Sequence, residues 1–545
     1  MTAHFVNDPN EVVTEALDGL LTAAGPGRLA RLDGYPDIKV VLRGDWTRDR
    51  VAIVSGGGAG HEPAHAGFVG PGLLTAAVSG EIFASPSVDA VLAALLAVTG
   101  DAGALLVVKN YTGDRLNFGL AAERARSRGL RVQTVIVGDD IAIADTATPR
   151  GLAGTLLVHK IAGALAESGA PLDQVAAVAR RVAESVRSLG VSTSIAEIPG
   201  RTGEQRFATG DAELGLGIHG EPGVQTFALD GATKLLTRMS DELGRALPGG
   251  GSLALLVNTL GGLAPLESLV VVRDLLATDL GGRAELMVGP AALMTSMGMR
   301  GFSVSALPLD EELTGALLAP VADWTAWPSA RVLNRGQRPE LREVPALRER
   351  AAVPASEDAA TRRVVSAVAD TLISAQQQLD SLDARTGDGD TGSTFAGAAR
   401  RVLSEIDDLP LADRSALFAR LSELLGSAMG GSSGVLLSIL FAAAGSAGEH
   451  ASLSDALAEG AAAVGRHGGA GPGDRTMLDA LVPAIQALGD DGPAAAAAAA
   501  RAGADATAGM ATARAGRAAY VGSQHLQGVT DPGAEAVALA FAALA

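Results

Sequence analysis

The pattern of apolar residues changes between residues 331 and 357, and no other feature constrains the fold of this chain as strongly. Before that segment, short β-branched runs such as Val51–Val54 and Val132–Val137 alternate with amphipathic or Ala-rich stretches. After it these runs stop, and helical patterns follow one another, broken by Gly and Pro. Alternating strands and helices indicate an α/β sheet, whereas the later pattern indicates a bundle of helices. We therefore predict a multidomain protein in which an α/β part precedes an all-α part.

Individual elements follow from the same patterns. In the α/β part we predict a long helix over Leu172–Leu189 and strands that include Val51–Val54, Ala104–Val108, Val132–Val137, Leu253–Val257 and Ala284–Val288. In the all-α part the predicted helices are Val364–Leu382, Ala396–Ile406, Ser415–Met429, Val435–Ala444, Leu453–Val464, Thr476–Leu488 and Pro493–Ala515.

Two segments of unusual composition mark the predicted domain boundaries. Ile195–Gly223 is rich in Gly and turn residues, which favours a seam between two α/β lobes. Arg331–Glu357 carries three prolines among Arg, Glu and Gln without apolar periodicity, as is typical of an exposed linker. We therefore predict a first α/β lobe over residues 1–190, a second over 191–335, a linker over 336–360 and an all-α domain over 361–545.

Charge and the absence of cysteine exclude several classes of protein. The 545 residues carry 43 Lys and Arg against 61 Asp and Glu, and the net charge of −18 offers no basic footprint for nucleic acid. Without cysteine there is no disulfide, thiolate zinc site or cysteine nucleophile. The longest apolar stretches, Ala90–Thr99 and Gly434–Ala444, are too short to span a bilayer, and Met1–Asn10 does not resemble a signal peptide. We expect a cytoplasmic protein that binds neither nucleic acid nor membranes.

A glycine-dense turn follows the strand predicted at Val51–Val54. Residues 55–65 read Ser-Gly-Gly-Gly-Ala-Gly-His-Glu-Pro-Ala-His, and such a turn lets a ligand approach bare backbone amides. The spacing fits neither a dinucleotide fingerprint nor a P-loop, and we expect a helix to begin near His61. His61 and His65 match the HExxH zinc motif, but the glycines and Pro63 disfavour the continuous helix that zinc requires. A surface or capping histidine in an ordinary turn is the remaining alternative.

Two further polar clusters contain candidate catalytic residues. Lys109–Asp114 directly follows a predicted strand, at the end where α/β sheets bind ligands. Asp114 is a candidate base, or alternatively the N-cap of a helix predicted over Arg115–Arg128. His219 is framed by four glycines, which suits contact with a small ligand better than core packing. A turn histidine without a role is the alternative there.

Three carboxylates lie close together between two predicted helices of the all-α part. Asp383, Asp388 and Asp390 would repel one another unless a hard cation neutralised them. An EF-hand is disfavoured, because Gly392 and Ala399 occupy its fifth and twelfth loop positions. The pattern favours Mg²⁺, with phosphates as its further ligands, and a solvated acidic turn is the alternative.

Two additional segments of the all-α part support a phosphate ligand. Met429–Gly434 offers backbone amides and hydroxyls at a predicted helix start. Gly473–Asp479 supplies a cation, Arg475, near another helix start. Either segment alone is a weak signal, but together with the three carboxylates they indicate a phosphate site.

Taken together, these segments resemble the dihydroxyacetone kinase family in its fused, single-chain form. The resemblance spans nearly the whole chain. It rests on eight motifs in order: Gly56–Pro63, Gly80–Pro86, Lys109–Asp114, Gly151–Thr155 with His159–Lys160, Gly217–Gly223, Gly387–Asp390, Gly473–Asp479 and Asp531–Ala534.

The resemblance implies a two-lobed α/β substrate-binding part followed by an eight-helix barrel that binds ATP and Mg²⁺. It implies that His219 forms a covalent hemiaminal with the carbonyl carbon of the substrate, which selects ketoses and aldoses over glycerol. His61 and Asp114 are implied to hold the substrate hydroxyls and to assist deprotonation of the attacking one. The residues implied to bind the substrate are Gly57, Gly58, Lys109, Asp114 and His219.

For the nucleotide, the resemblance implies that Asp383, Asp388 and Asp390 hold the Mg²⁺ that bridges the ATP phosphates. Arg475 would offset charge on the transferred phosphoryl group. The remaining nucleotide-binding residues implied are Thr391, Gly392, Ser393, Gly430, Gly431, Ser432, Ser433, Gly473, Asp531 and Gly533. Family members often form homodimers in which the linker passes one chain's helical domain to the other chain's substrate site, and we expect a homodimer.

We therefore predict an ATP-dependent kinase that phosphorylates an alcohol group of dihydroxyacetone. The chain departs from the commoner family pattern at Thr391, Asn258-Thr259, Met299-Arg300 and Trp324. A changed pocket wall would admit erythrulose, a four-carbon ketose, which is the alternative substrate. The motifs are also compatible with a phosphotransferase-system component whose bound ADP is rephosphorylated by a partner protein, and with a regulatory protein that senses a ketose without turnover. Some fused relatives also split FAD at the nucleotide site.

Overall fold

The computed structural model describes residues 4–32, 34, 37–143, 146, 148–200, 208–333, 342, 353–429, 431–448 and 450–545, and only the backbone of residues 431 and 432. The chain divides into two compact units, Met1–Glu340 and Leu341–Ala545. Most of the segment predicted as a linker, 336–360, lies outside the described residues.

The first sheet of the α/β unit is mainly parallel and contains β1 (Leu29–Arg31), β2 (Val40–Arg43), β3 (Ala52–Ala59), β4 (Ala76–Ile82), β5 (Ala104–Lys109) and β6 (Val132–Val137). Its strand order is β1-β2-β4-β3-β5-β6. Strands β4, β3, β5 and β6 run parallel to one another. β2 runs antiparallel to β4, and β1 runs antiparallel to β2. Every residue of β3 and β5 is buried, because helices cover both faces of a parallel sheet. This explains the continuous apolar runs in the sequence.

The helices around this sheet are α1 (Val12–Ala24), α2 (Val88–Val98), α3 (Thr112–Ser127), α4 (Thr155–Glu167) and α5 (Leu172–Ser185). Ser87 caps α2 by accepting a hydrogen bond from the Ala90 amide. A separate apolar core lies on each side of the sheet.

The second sheet is mixed and contains β7 (Arg187–Ser192), β8 (Asp211–Leu214), β9 (Gln225–Ala228), β10 (Leu253–Thr259), β11 (Ala284–Ala292), β12 (Gly301–Pro308) and β13 (Arg331–Val332). Its order is β13-β11-β10-β12-β7-β8-β9, and within it β10 and β11 are parallel. The helices that occur among these strands in the chain are α6 (Ala232–Ala246), α7 (Pro265–Leu276), α8 (Asp279–Gly282) and α9 (Glu311–Leu318), and α9 packs against α4. The α/β part therefore has two sheets, as the sequence predicts.

Two features around residue 190 differ from the sequence prediction. The helix predicted over Leu172–Leu189 ends at Ser185, and β7 follows it at once. The reason is tertiary, because β7 pairs antiparallel with β12, over a hundred residues away in the sequence. The Gly-rich segment Ile195–Gly223 is also more than a connection, since it includes β8, which pairs with β7.

The second unit is all-α and contains α10 (Ala359–Ser374), α11 (Gln376–Asp383), α12 (Thr391–Ser404), α13 (Arg414–Ala428), α14 (Gly431–Ser446), α15 (Leu453–Gly468), α16 (Leu478–Asp490), α17 (Pro493–Thr507), α18 (Ser523–Leu526) and α19 (Pro532–Ala542). The helices surround an apolar cavity of about 700 Å³. The all-α barrel predicted from the sequence is confirmed. Among the described residues, no helix combines the length and apolar character needed to cross a membrane.

Helix boundaries in this unit depart from the prediction at several places. The helix predicted over Val364–Leu382 is interrupted at Ala375, where α10 ends and α11 begins. The helix predicted over Pro493–Ala515 ends at Thr507. α19 has no counterpart among the predicted helices, although Pro532 at its first position and Asp531 as its cap are typical start signals.

Candidate active site

The carboxyl ends of β3, β4 and β5 meet at one edge of the first sheet. Gly57 adopts a φ of 156°, and a Cβ there would lie 3.3 Å from Lys109 Nζ and 3.5 Å from Asp114 Oδ2. A Cβ on Gly58 would lie 2.7 Å from the backbone nitrogen of Ala84. The two glycines thus allow the neighbouring strand ends to approach the backbone closely.

Asp114 lies in the first turn of α3 and is 2% exposed. Its Oδ1 accepts a hydrogen bond from the Ser85 hydroxyl. The N-cap position of α3 belongs instead to Tyr111, which makes no side-chain capping bond. The alternative in which Asp114 caps a helix is therefore wrong, and its carboxylate faces the space beside Lys109 and Gly57.

His219 lies in the loop between β8 and β9, and contacts from other segments hold this loop. Ser296 Oγ donates to the Ile218 carbonyl at 2.5 Å, and Arg150 Nη2 donates to the Gly215 carbonyl at 2.6 Å. The Glu221 carboxylate contacts His219 twice, at 3.2 Å from Nδ1 and at 3.0 Å from the backbone nitrogen. These contacts orient the imidazole and leave Nε2 as its free ring nitrogen.

Three rings from the first sheet surround the His219 imidazole. The ring centroids of Tyr111, His61 and Phe83 lie 4.4, 4.8 and 5.4 Å from that of His219, all edge to face. Phe83 has a φ of 58°, which is uncommon for a residue with a Cβ. We call Tyr111, His61 and Phe83 the ring cage. It brings residues that directly follow β4 and β5, and one from the glycine turn, against a histidine in the loop between β8 and β9.

Several polar atoms at this site are buried without a hydrogen-bond partner. They are His61 Nε2, Lys109 Nζ and the Tyr111 hydroxyl. His61 Nδ1 is bonded to the Thr295 carbonyl at 2.8 Å, so its second nitrogen alone is free. Because an unpaired buried polar group is costly, this concentration indicates a place for the hydroxyls of a small ligand.

Burial and neighbouring charges also shift the protonation of these groups. Burial, assisted by the charge of Lys109, lowers the pKa of His61 well below its usual range. Burial likewise lowers the pKa of Lys109. Burial alone would raise the pKa of Glu221, yet its hydrogen bond to His219 and the nearby imidazole charge lower that pKa to about 2. A neutral His61 and an ionised Glu221 therefore flank His219 at neutral pH.

The segment that matches HExxH does not form a helix. After His61 the chain turns irregularly, and the next regular element is a short 3₁₀ turn at Ala66–Phe68, so the helix expected to begin near His61 is absent from this described segment. His65 Nδ1 lies 3.1 Å from His159 Nε2, deep in the core. The glycines before His61 and Pro63 within the motif account for the irregular path.

The three carboxylates of the helical unit converge. Asp383, Asp388 and Asp390 place a ligand oxygen each within 4.8 Å of one another, the only such set of His, Asp or Glu in the described part of the chain. Asp383 is buried, and its Oδ2 accepts the backbone N–H groups of Gly389, Asp390 and Thr391 at 3.0, 3.0 and 3.3 Å. Asp388 and Asp390 are exposed, and Asp388 forms an ion pair with Arg517. Three oxygens at this spacing fit a hard cation.

A cavity of about 310 Å³ adjoins the carboxylates. Arg475 lines it and is 1% exposed, and its Nη2 donates to the Val529 carbonyl at 2.7 Å. Its Nε and Nη1 have no partner, so two donors of a buried guanidinium are free. The residues predicted to bind nucleotide that line this cavity are Thr391, Ser433, Arg475, Asp531 and Gly533.

The rest of the predicted nucleotide-binding residues have different surroundings. A Cβ on Gly392 would lie 1.9 Å from the Gln376 carbonyl oxygen, so this glycine allows α11 and α12 to pack. The Ser393 hydroxyl donates to Asp380 at 2.7 Å, and the Gly473 amide donates to Asp479 at 2.5 Å. Gly430 lies outside the described residues. At the start of α14, only the backbone of Gly431 and Ser432 is described.

Among the residues that contact the candidate groups without having been predicted from the sequence are Phe83, Ser85, Tyr111, Glu221 and Arg517. The first four stand inside motifs that were recognised, close to predicted site residues. Their positions inside the motifs could have marked them as site residues. Their contacts could not be predicted, because they form between loops that follow different strands. Arg517 lies outside every motif.

Comparison with known proteins identifies the family of the chain. A model of the Dak1 domain matches residues 22–325, and a model of the DAK2 domain matches residues 385–545. The chain is 47% identical to a dihydroxyacetone kinase of Citrobacter freundii, with 100% of this chain and 99% of that protein covered. It is 35% identical to an L-erythrulose 1-kinase of Mycolicibacterium smegmatis, with 99% of each covered.

A solved structure gives the same result for the fold. The dihydroxyacetone kinase from C. freundii in complex with AMP-PNP and Mg²⁺ matches with a TM-score of 0.68 and 45% sequence identity, over 100% of this chain and 99% of that one. Both domain types occur in order, and the match extends over the full length. The chain therefore belongs to the dihydroxyacetone kinase family, in its fused form with a Dak1 and a DAK2 domain.

Proposed function

We propose that this protein transfers the γ-phosphoryl group of ATP to a hydroxyl of a short-chain ketose, with dihydroxyacetone as substrate and dihydroxyacetone phosphate as product. The observation that carries the proposal is His219, whose Nε2 is free while Glu221 holds Nδ1 and the ring cage surrounds the imidazole. The greater identity to the dihydroxyacetone kinase than to the erythrulose kinase favours the three-carbon ketose.

His219 would capture the ketose covalently. Its Nε2 lone pair attacks the carbonyl carbon, and the carbonyl π electrons pass to the oxygen, which takes up a proton. The imidazole gives up its Nδ1 proton, so the product is a neutral hemiaminal. A polyol such as glycerol has no carbonyl carbon, and this step would exclude it.

His61 and Asp114 would prepare the attacking hydroxyl. Both are buried, the pKa of His61 lies well below its usual range, and its Nε2 has no partner. A neutral imidazole with a free nitrogen can accept a hydrogen bond or a proton from a hydroxyl. The carboxylate of Asp114, which the Ser85 hydroxyl holds in place, can accept another hydrogen bond or proton from the substrate. Lys109 has a free ammonium group beside Gly57 and would bind a substrate oxygen.

The helical unit would bind the nucleotide and the metal. Asp383, Asp388 and Asp390 fit Mg²⁺ by their number, oxygen type and spacing. When bound there, Mg²⁺ would neutralise charge on the ATP phosphates. The free Nε and Nη1 of Arg475 would donate to phosphate oxygens in the adjoining cavity. These arrangements support a site for Mg²⁺-ATP, as described for the relative bound to AMP-PNP.

We further propose a cytoplasmic homodimer. The absence of cysteine is compatible with a reducing compartment, and the dimer is an expectation from the family resemblance. Sedimentation equilibrium of the full chain tests the dimer directly. A mass of one chain at all concentrations would exclude it.

The proposed activity is tested by ADP release from Mg²⁺-ATP with dihydroxyacetone, erythrulose or glycerol supplied separately. We expect turnover with dihydroxyacetone, less with erythrulose and none with glycerol. His219→Ala should abolish the ketose-dependent release. The absence of ADP release with every acceptor would overturn the proposal, and faster turnover of erythrulose would change the substrate.

A further inference from the structure

We propose that Glu221 is a positioning residue for His219: its carboxylate selects the imidazole tautomer with the proton on Nδ1, and so keeps the Nε2 lone pair available to a carbonyl carbon. The inference rests on the proposed covalent capture of a ketose by His219. It assigns to Glu221 a task in the capture step alone, separate from phosphoryl transfer.

Two contacts to one residue support this role. Glu221 Oε1 lies 3.2 Å from His219 Nδ1, and Glu221 Oε2 accepts the His219 backbone N–H at 3.0 Å. An ionised carboxylate has no proton to donate, so the Nδ1 that faces it must carry one. The second contact fixes the backbone from which the imidazole projects. A carboxylate that holds one nitrogen of an active histidine commonly determines its tautomer and orientation.

The loop provides a place for this carboxylate. An ideal Cβ on Gly217 would lie 2.0 Å from Glu221 Oε2, so any side chain at 217 would compete with it for space. The Gly217 amide donates to the Glu221 carbonyl at 3.2 Å, which closes the turn around His219. Arg150 is bound to Asp140 at 2.6 Å and to the Gly215 carbonyl, and it holds the start of this turn.

The charge of Glu221 suits the same task. The hydrogen bond to His219 keeps the pKa of Glu221 at about 2 against the opposing effect of burial, so the carboxylate is ionised at neutral pH. As the Nε2–carbon bond forms, positive charge develops on the imidazole beside this carboxylate. The Nδ1 proton can then pass to Glu221 and on to solvent water, while the carbonyl oxygen takes a proton from water. Protons and electrons balance, and no other reactant is required.

The first test is the tautomer of His219 in the full chain, free of ligand. With ¹⁵N-labelled histidine, long-range ¹H–¹⁵N spectra distinguish a protonated from an unprotonated ring nitrogen, and His219→Ala identifies the signal by its loss. We expect His219 to carry its proton on Nδ1. A proton on Nε2 in the unchanged chain would overturn the proposal without the use of any variant at 221.

The second test uses Glu221→Gln, whose amide can either donate or accept at Nδ1. We expect a mixture of His219 tautomers in this variant. With dihydroxyacetone labelled with ¹³C at the carbonyl, and no ATP, we expect the dissociation constant of the hemiaminal to rise by the inverse of the fraction of His219 that keeps its proton on Nδ1, about twofold for an equal mixture. The control is Glu213→Gln, because the Glu213 carboxylate accepts the Gly223 amide at 2.9 Å in the same hairpin, whereas the carboxylate at the imidazole Nδ1 is that of Glu221. It should leave the tautomer unchanged.

The two tests separate this inference from the proposed function. If the unchanged chain forms no hemiaminal with the labelled ketose, the proposed covalent capture fails. If the unchanged chain forms it, and Glu221→Gln shows the same tautomer and the same dissociation constant, the role of Glu221 is refuted while the ketose kinase remains.

Discussion

Arg517 forms an ion pair with Asp388, one of the three carboxylates that converge beside the nucleotide cavity. Arg517 begins a short 3₁₀ segment, Arg517–Tyr520, and its side chain is 54% exposed. Its guanidinium supplies positive charge to a cluster of carboxylates that would otherwise repel one another. We therefore expect a metal ion that binds these carboxylates to compete with Arg517 for Asp388.

Arg517→Ala should bind Mg²⁺ more tightly in the absence of nucleotide. An exposed ion pair contributes on the order of 0.5–1 kcal/mol, so its loss should lower the dissociation constant for Mg²⁺ by about two- to fivefold. Titration calorimetry with Mg²⁺ alone measures this. Arg514→Ala is the matched control, because Arg514 pairs with Asp474 instead. Equal or weaker Mg²⁺ binding by Arg517→Ala would show that the pair does not compete with the metal.

The three carboxylates should differ in what they do for stability. Asp383→Ala removes the acceptor of three backbone N–H groups from a buried position, which should lower the free energy of unfolding by about 1–3 kcal/mol even without metal. Asp388→Ala and Asp390→Ala remove exposed groups and should change the free energy of unfolding little. All three should weaken Mg²⁺ binding. Urea unfolding with a chelator present, followed by far-ultraviolet circular dichroism, measures the difference, and equal losses in the three variants would contradict the assignment.

The sequence predicts the fold well wherever a local pattern determines it. The predicted strand Ala104–Val108 falls within β5, because a parallel strand buried on both faces reads as a continuous apolar run. β7 escaped prediction, since Arg187–Ser192 continues from α5 without Gly or Pro at the junction, and its pairing with β12 and β8 makes it a strand. Pairing between distant segments leaves no local signal.

The same distinction applies to the candidate active site. His61, Asp114 and His219 stand out in the sequence because glycines or strand ends flank them. The contact between His219 and Tyr111 joins a loop of the second sheet to the end of β5, and no sequence spacing fixes it. The rejected capping role of Asp114 shows this limit, because propensity alone could not distinguish a cap from a buried first-turn carboxylate.

Gly217→Ala should impair catalysis although it removes no functional side chain. The added methyl group would occupy the position of the Glu221 carboxylate and displace it from His219. A displacement on the order of 1 Å can reduce the rate about a hundredfold, and we expect a loss of that size in kcat/KM for dihydroxyacetone. Gly249→Ala is the control, because its Cβ would meet nothing within 4 Å. Near-normal kcat/KM in Gly217→Ala would mean that the carboxylate can move without consequence.

The core histidines should make the α/β unit sensitive to acid. Burial lowers the pKa of His159 to about 3, and it lowers the pKa of His61 and His65 well below their usual range. Between about pH 6.5 and pH 3, His159 would be protonated in the unfolded chain but neutral in the folded one. Unfolding then takes up a proton, so stability falls as the pH falls. Each such histidine contributes a slope of about 1.4 kcal/mol per pH unit.

His159→Gln should reduce this slope while lowering stability at about pH 7.5, because the glutamine does not titrate but loses the contact with His65. The three tryptophans, Trp46, Trp324 and Trp327, all lie in the α/β unit, so their fluorescence in urea reports the unfolding of that unit. Between about pH 6.5 and pH 5, the free energy of unfolding of the variant should decline by about 1 kcal/mol less per pH unit than that of the unchanged chain. His4→Gln, near the N-terminus, should leave the slope as it is. Parallel declines in the unchanged chain and in His159→Gln would show that His159 gains its proton in the folded state as readily as in the unfolded one.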